Sequence, residues 1–394
     1  MSRIEQLIAE LCPDGVEWKE LGEVCSIFDG THQTPHYTNE GIKFVSVENI
    51  SSLYETKKYI SKVDFDKLYR VKPQLNDIFM TRIGTIGACA IVDRDDDLAF
   101  YVTLTLIRPF QNIVNSRFIK YIIESSIGQK ELIKRTLVYA VPIKINLGEI
   151  GKIKIPIPPL PIQQEIVRIL DTFTDLDAEL QAELEARKKQ YEHYRNQLLN
   201  FEGKEVEWKM LGDLTDFMNG KGHEKEIVEN GKYIVVNSKF ISTDGTIKKY
   251  SNNQLSPIYI DDILIVMSDL PNGKALAKCF YVEKDNVYTL NQRIGRLSVN
   301  YKYEVTPKYI FFILNRNKQL LKYDNGSDQT NLRKNHILEI KIPIPPLAEQ
   351  ERIVSILDKF EALVNDELPA EIAARRKQYE HYREKLLTFE PLVS

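Results

Sequence analysis

A chain of 394 residues is long enough for two domains of ordinary size, each able to bury its own core. Charged residues make up 28% and hydrophobic residues 43%, a globular balance that excludes a disordered or low-complexity chain. The formal net charge of -3 excludes a uniformly basic surface, so any contact with nucleic acid has to rest on local patches or on a partner.

The N-terminal MSRIEQLIAELCPDG carries charges through its only apolar stretch, unlike a signal peptide. Apolar runs such as 263–267 and 309–314 are too short to span a bilayer. A soluble cytoplasmic protein is expected. Cys12, Cys25, Cys89 and Cys279 lack CxxC spacing, which fits reduced structural thiols and calls for no metal.

Residues 4–11 read as a short helix tip, followed by VEWKELGEV from Val16. Strands are expected over 42–47, 77–82, 88–92 and 101–108 and a helix over 116–134. IKIPIPPL then leads from Ile153 into a helix from about 162 to about 200, roughly 60 Å long at 1.5 Å per residue. The order then repeats. VEWKMLGDL starts at Val206, strands are expected over 233–237, 262–267, 275–282 and 292–299, and a helix over 307–321. IKIPIPPL recurs from Ile340 and opens a second long helix.

The two octapeptides lie 187 positions apart (340 minus 153), and the two KQYEHYR segments, at Lys189 and Lys377, lie 188 apart (377 minus 189). This is an internal duplication. The expected class is α+β, with two globular domains separated by two long helices that form an antiparallel coiled coil with an internal, nearly circular pseudo-two-fold symmetry. The boundaries are 1–157, 158–203, 204–344 and 345–394. Spacings of four and three run through Leu180, Leu184, Arg187, Tyr191, Tyr194 and Leu198 and again through Leu368, Ile372, Arg375, Tyr379, Tyr382 and Leu386, the signature of a coiled-coil seam. Pro369, where the first copy has Gln181, predicts a kink or a frayed turn.

Between the constant segments the copies diverge, and polar residues gather in the expected loops. The first copy has Thr31, His32, Gln33, Thr34, His36 and Tyr37, and Arg82 before the turn Gly84–Gly87. The second has Lys221, His223, Asn237, Lys239, Asn272, Lys274, Asn291, Gln292 and Arg293, then Gln329 and Asn331. Asn, Gln and Arg can bond base edges in pairs, and Lys and Thr can take phosphates, so these are the candidate DNA contacts. Polar side chains in loops also occur for solubility alone. His32 and His36 are separated by Pro35 without a third ligand, so a metal site is not expected. His193 and His381 are matched copies within the helices and read as structural.

No phosphate loop GxxxxGK[ST] and no Asn-Pro-Pro-aromatic motif occurs in the chain. Glu17-Trp18-Lys19 and Glu207-Trp208-Lys209 have nuclease-like ExK spacing but lack a suitably placed upstream acid. Catalysis by this chain is not expected.

The doubled IKIPIPPL, the helices carrying KQYEHYR and the divergent globules opening with VEWK and LG resemble the specificity subunits of type I restriction-modification enzymes, over essentially the whole chain. LDAELQAELEARKKQY is similar to the tetrapeptide repeats of some members' central helix, and GTHQTPHY and TRIGTIG to segments of their target recognition domains, whereas SDLPNGKALAK departs from the TRIGTIG pattern. The resemblance implies that each globule reads half of a bipartite site in double-stranded DNA while the helices set the spacer. It further implies two methyltransferase subunits docked on the helices, with restriction subunits in the full complex. S-adenosylmethionine, ATP and Mg would then be used by those partners, and this chain would hold no cofactor. The competing reading is a symmetric protein-protein scaffold that binds no DNA, which accounts for the repeat but not for the divergent Asn/Gln/Arg-bearing loops.

Overall fold

The computed structural model describes residues 3–270, 275–324 and 326–392. The chain forms two compact units, Met1–Gln181 with Ala370–Ser394, and Ala182–Pro369. Each unit therefore contains one globule together with part of each long helix.

In the first unit an antiparallel sheet runs in the order Cys25–Asp29, Leu104–Pro109, Ile78–Thr81, Cys89–Ile91. A second sheet runs Tyr37–Thr38, Tyr59–Ile60, Ile42–Val45, Leu98–Phe100, its last pair parallel. The second unit repeats both orders with Thr215–Asn219, Ile294–Val299, Ile263–Val266, Cys279–Tyr281 and with Ile227–Val228, Tyr250–Ser251, Tyr233–Val236, Tyr288–Leu290. Each VEWK segment becomes a strand paired antiparallel with the IKIP strand of its own unit, Trp18–Glu20 with Lys154–Pro156 and Glu207–Met210 with Lys341–Ile344. The repeated sequence blocks are therefore partners across a sheet, which is why both ends of the repeat are constrained while the middle varies.

The sheets are hydrophobic on both faces. Ile78, Phe79 and Met80 are all fully buried, as are Ile263, Leu264 and Ile265, because one face packs on helices and the other on the second sheet. Burial also pushes the Cys25 thiol up to about 12, and Cys89 and Cys279 above their ordinary value, so these thiols stay protonated in the core.

Several expected elements are shorter than the sequence pattern. The helix expected over 116–134 is two helices, Ser116–Glu124 and Ser126–Arg135, because the Ser125 hydroxyl between them accepts from the Gly128 N–H and starts a new one. The helix expected over 307–321 likewise ends at Leu314, and a second, Lys318–Leu321, begins after Arg316 adopts a left-handed backbone and Asn317 caps the Gln319 N–H. The strand expected over 101–108 is displaced to Leu104–Pro109.

The first long helix is Leu160–Leu198, 39 residues. The second runs as Leu347–Ala362 and Leu368–Leu387, joined by the π-helical turn Leu363–Glu367. At Pro369 the expected kink or frayed turn is thus a widened turn. The proline ring would strike the carbonyl four residues back and offers no N–H, and a wider turn just before it accommodates both defects. The short helix Arg3–Leu11 buries Ile4 in the same core as Leu387 and Phe389, and Val16 bridges in parallel to Pro391.

Candidate nucleic-acid interface

In each unit the loop that follows the edge strand of the first sheet lies against a loop from the opposite sheet. Thr31 forms a parallel bridge with Tyr101, and Lys221 forms the matching bridge with Asn291. Gly30 and Gly220 precede these bridges because a Cβ there would collide with the carbonyl of Tyr101 or Asn291. A third segment joins the rim at the same register: Ile83 bridges antiparallel to Lys144 in the first unit, and Ser268 pairs with Asn331 in the second.

Of the first-copy candidates, His32, Gln33, Thr34 and His36 are exposed on one loop, and Tyr37 is exposed on the edge strand Tyr37–Thr38 that follows it. His32 Nε2 lies 3.0 Å from Asp29 Oδ2, and the Tyr37 ring meets Phe44 edge-on at 5.5 Å. Thr31 is buried, its hydroxyl accepting from the Gln33 N–H, and shapes the loop from within.

Arg82 corrects the sequence reading. It does not face outward from the strand end but is buried, donating from Nη1 to Asp29 Oδ1 at 2.5 Å and from Nε to the Ile145 carbonyl at 3.3 Å. Its guanidinium ties the His32 loop to the segment ending at Ile145, because fixed donors on one planar group satisfy acceptors from two parts of the chain at once. His223 is corrected in the same way. It is fully buried, with Nδ1 2.7 Å from the Lys221 carbonyl and Nε2 2.9 Å from the Thr289 hydroxyl.

The second unit brings six of its candidates, His223, Asn237, Lys239, Asn291, Gln292 and Arg293, around one concavity of about 280 Å³ together with Lys249. Lys239, Gln292 and Arg293 are exposed at its rim, while Asn237 spends its side-chain oxygen capping the helix Ser238–Ser242. Gln292 donates to Glu224 at 3.1 Å. Lys221 is exposed on the neighbouring loop. Gln329 and Asn331 are exposed on the third segment, where Gln329 donates to the Ser268 hydroxyl at 2.8 Å. Asn272 and Lys274 lie outside the described residues.

The scaffold residues fall into two matched groups. In the first unit Phe173 stacks on Tyr382 at 5.6 Å and meets Tyr379 at 6.2 Å; in the second, Phe360 stacks on Tyr194 at 5.6 Å and meets Tyr191 at 6.4 Å. Leu184, Leu368 and Ile372 are buried and Leu180 is half-buried, but Tyr194 and Tyr382 keep more than a third of their surface exposed. Leu198 and Leu386 each pack against the core of the globule in their own unit. The sequence reading missed Phe173 and Phe360, since each lies on the opposite helix from the tyrosines it touches.

It also missed the hairpin Thr136–Leu137 with Lys144–Ile145, whose tip is apolar. The signal was present in the repeat. Moving Gln329 and Asn331 back by the octapeptide offset of 187 gives Pro142 and Lys144 (329 minus 187, 331 minus 187). Among the described residues no group of three or more His, Cys, Asp and Glu side chains could hold a metal ion. No helix among them is long and apolar enough to cross a membrane.

The two units thus present a duplicated α+β sheet scaffold with two different polar rims. The chain belongs to the type I restriction modification DNA specificity domain family, whose model matches it twice, over residues 13–186 and 203–374. The specificity subunit of the Escherichia coli type I restriction enzyme EcoR124I/EcoR124II is 37% identical over 263 residues, covering 60% of this chain and 63% of that protein. The match therefore spans less than two thirds of that relative's own length. Among solved structures, the S subunit of the M. genitalium type I restriction-modification system is 16% identical with a TM-score of 0.55, covering 95% of this chain and 96% of that one. A chain of a type I R-M system, solved to explain complex assembly and conformational transition, gives a TM-score of 0.61 at 16% identity, covering 95% and 98%.

Proposed function

We propose that this chain is the non-catalytic DNA-recognition subunit of a type I restriction-modification complex. Each globule, 1–157 and 204–344, reads one half of a bipartite site in double-stranded DNA, and the helices 158–203 and 345–394 set the unread spacer and dock two methyltransferase subunits. S-adenosylmethionine, ATP and Mg belong to the methyltransferase and restriction subunits in this reading.

The observation that carries it is the pairing of a repeated scaffold with divergent rims. Thr31 with Tyr101 and Lys221 with Asn291 make the same bridge, yet the exposed side chains around them are His32, Gln33 and Thr34 in one unit and Lys239, Gln292 and Arg293 in the other. A module kept in its backbone and changed in its outward groups is suited to reading two unlike half-sites. The pairing of Phe173 with Tyr382 and of Asp177 with Arg376, higher numbers against lower, supports an antiparallel arrangement of the helices.

Fluorescence anisotropy of the chain with its methyltransferase partner, on duplexes taken from sites modified in the host genome, tests the reading. Tight binding to duplexes carrying both half-sites is expected. Binding independent of sequence, or none, overturns it.

A further inference from the structure

We propose that the hairpin spanning Thr136 to Ile145 is an apolar wedge that enters the DNA at a flexible base step of the first half-site. The inference rests on the recognition role above and adds a mode of reading to it.

The tip carries an apolar surface that the fold leaves uncovered. Tyr139 is 98% exposed and Val141 100%, and Leu137, Val138 and Ile143 are exposed around them. Side chains of this kind are not left in water by packing failure alone, because the base of the hairpin is well tied. Its strands pair at Thr136 with Ile145 and at Leu137 with Lys144, Ile145 donates its N–H to the Arg82 carbonyl at 3.0 Å, and Gly84 donates to the Ile143 carbonyl at 2.9 Å. A fixed hairpin with an exposed apolar tip marks a contact surface.

Three observations select DNA as the occupant. The hairpin stands where the second unit has Gln329 and Asn331, since Ile83 bridges Lys144 just as Ser268 pairs with Asn331. Through Arg82 it is bonded to the loop that exposes His32 and Gln33. The chain between Glu131 and Glu149 has three cations, Lys134, Arg135 and Lys144, and no acid. Glu131 pairs with Lys134 and Arg135, and Lys144 is exposed next to the tip. A narrow apolar tip with a cation beside it matches an opened base step flanked by phosphate. Proteins that kink DNA insert such side chains between base pairs, and pyrimidine–purine steps open most easily. The first unit would then sense deformability at a position where the second makes hydrogen bonds.

The test uses the complex with the methyltransferase subunit and duplexes carrying 2-aminopurine at each adenine of the first half-site in turn. One position other than the base that the methyltransferase itself flips out, which brightens in any active complex, should brighten severalfold when the native complex binds. The double variant Tyr139→Ser, Val141→Ser should co-purify with the methyltransferase unchanged, lose that brightening and bind about tenfold more weakly, the loss of one aromatic stacked on a base. Tyr139→Phe should keep both. Because both side chains lie in solvent, neither variant is expected to alter folding, and an unchanged melting temperature checks this. Absence of any such additional brightened position with the native complex, or its survival in the double variant, overturns the wedge. Loss of methyltransferase co-purification overturns it too, by assigning the tip to a protein interface. A native complex that binds no DNA overturns the recognition role itself, and the wedge with it.

Discussion

Gln163 and Gln350 occupy the same place in the two units and make the same three hydrogen bonds. Gln163 donates from Nε2 to the carbonyls of Ile113 (3.0 Å) and Pro158 (2.7 Å) and accepts from the Asn115 N–H (2.8 Å). Gln350 donates to Glu304 (3.0 Å) and Pro345 (2.8 Å) and accepts from the Thr306 N–H (2.9 Å). Asn115 and Thr306 cap the helices Ser116–Glu124 and Pro307–Leu314, so each amide joins the first turn of a long helix to the cap of a globule helix.

Both amides are fully buried, so replacing either with leucine leaves a backbone donor and acceptors without partners. Each such group costs about 1 to 3 kcal/mol. Gln163→Leu or Gln350→Leu should therefore lower the unfolding free energy by roughly 2 to 4 kcal/mol, read as a fall in urea midpoint. An unchanged midpoint would mean that the latch is dispensable.

Arg82 is buried against Asp29 and Ile145, and this separates two readings of its loss. A phosphate-contacting arginine, once removed, lowers the salt dependence of binding by about one unit of slope. Arg82→Ala should instead weaken DNA binding by disordering the loop around His32 while leaving that slope as it was. It should also destabilise the first unit by about 3 kcal/mol, since the Asp29 carboxylate loses its charged partner. A reduced slope with unchanged stability would place Arg82 on the DNA.

Burial pushes the Glu361 carboxyl above its ordinary value, although the Tyr191 hydroxyl, 3.1 Å away, and the nearby Lys308 and Arg195 pull it back. A carboxyl raised on folding binds its proton more tightly in the folded state. Its contribution is therefore most favourable below the unfolded value of about 4.3 and is lost as pH rises through the folded one. Glu361→Gln should accordingly be more stable than the native chain at pH 8, with the difference shrinking toward pH 4. A difference that stays constant across this range would show that the carboxyl is not desolvated.

The central helix offers a test of spacing. Residues 178–184 read AELQAEL, and inserting a further AELQ after Gln181 extends a helix by about 6 Å with a rotation of roughly 40°. One base pair rises about 3.4 Å, so sequencing of the modified sites should show both half-sites unchanged and the unread spacer longer by one base pair, or at most about two. An unaltered spacer at full activity would contradict the role proposed for the helices.

Much of the fold was legible in the chain alone because its signals are local or repeated. Identical octapeptides announced the duplication, short continuous apolar runs located Ile78–Thr81 and Ile263–Val266, and spacings of three and four located Leu160–Leu198. The breaks at Ser125 and Arg316 were not legible, since apolar periodicity continues across them while the backbone turns away.

The candidate rim was legible only as a list of polar residues. The sequence by itself determined that the two globules share a scaffold and differ in their loops, since identity and divergence can be read position by position. Tertiary structure decided which of those side chains face solvent. Arg82 turns inward because Asp29 and the Ile145 carbonyl, 53 and 63 positions away, come within its reach, and His223 because the Thr289 hydroxyl, 66 positions away, lies beside its ring. Tyr139 and Val141, apolar and so expected in a core, stand in solvent because the pairing of Thr136 with Ile145 holds the tip of their hairpin away from it. The direction of a loop side chain is set by acceptors and walls that other parts of the chain supply, and no local pattern records where those will be.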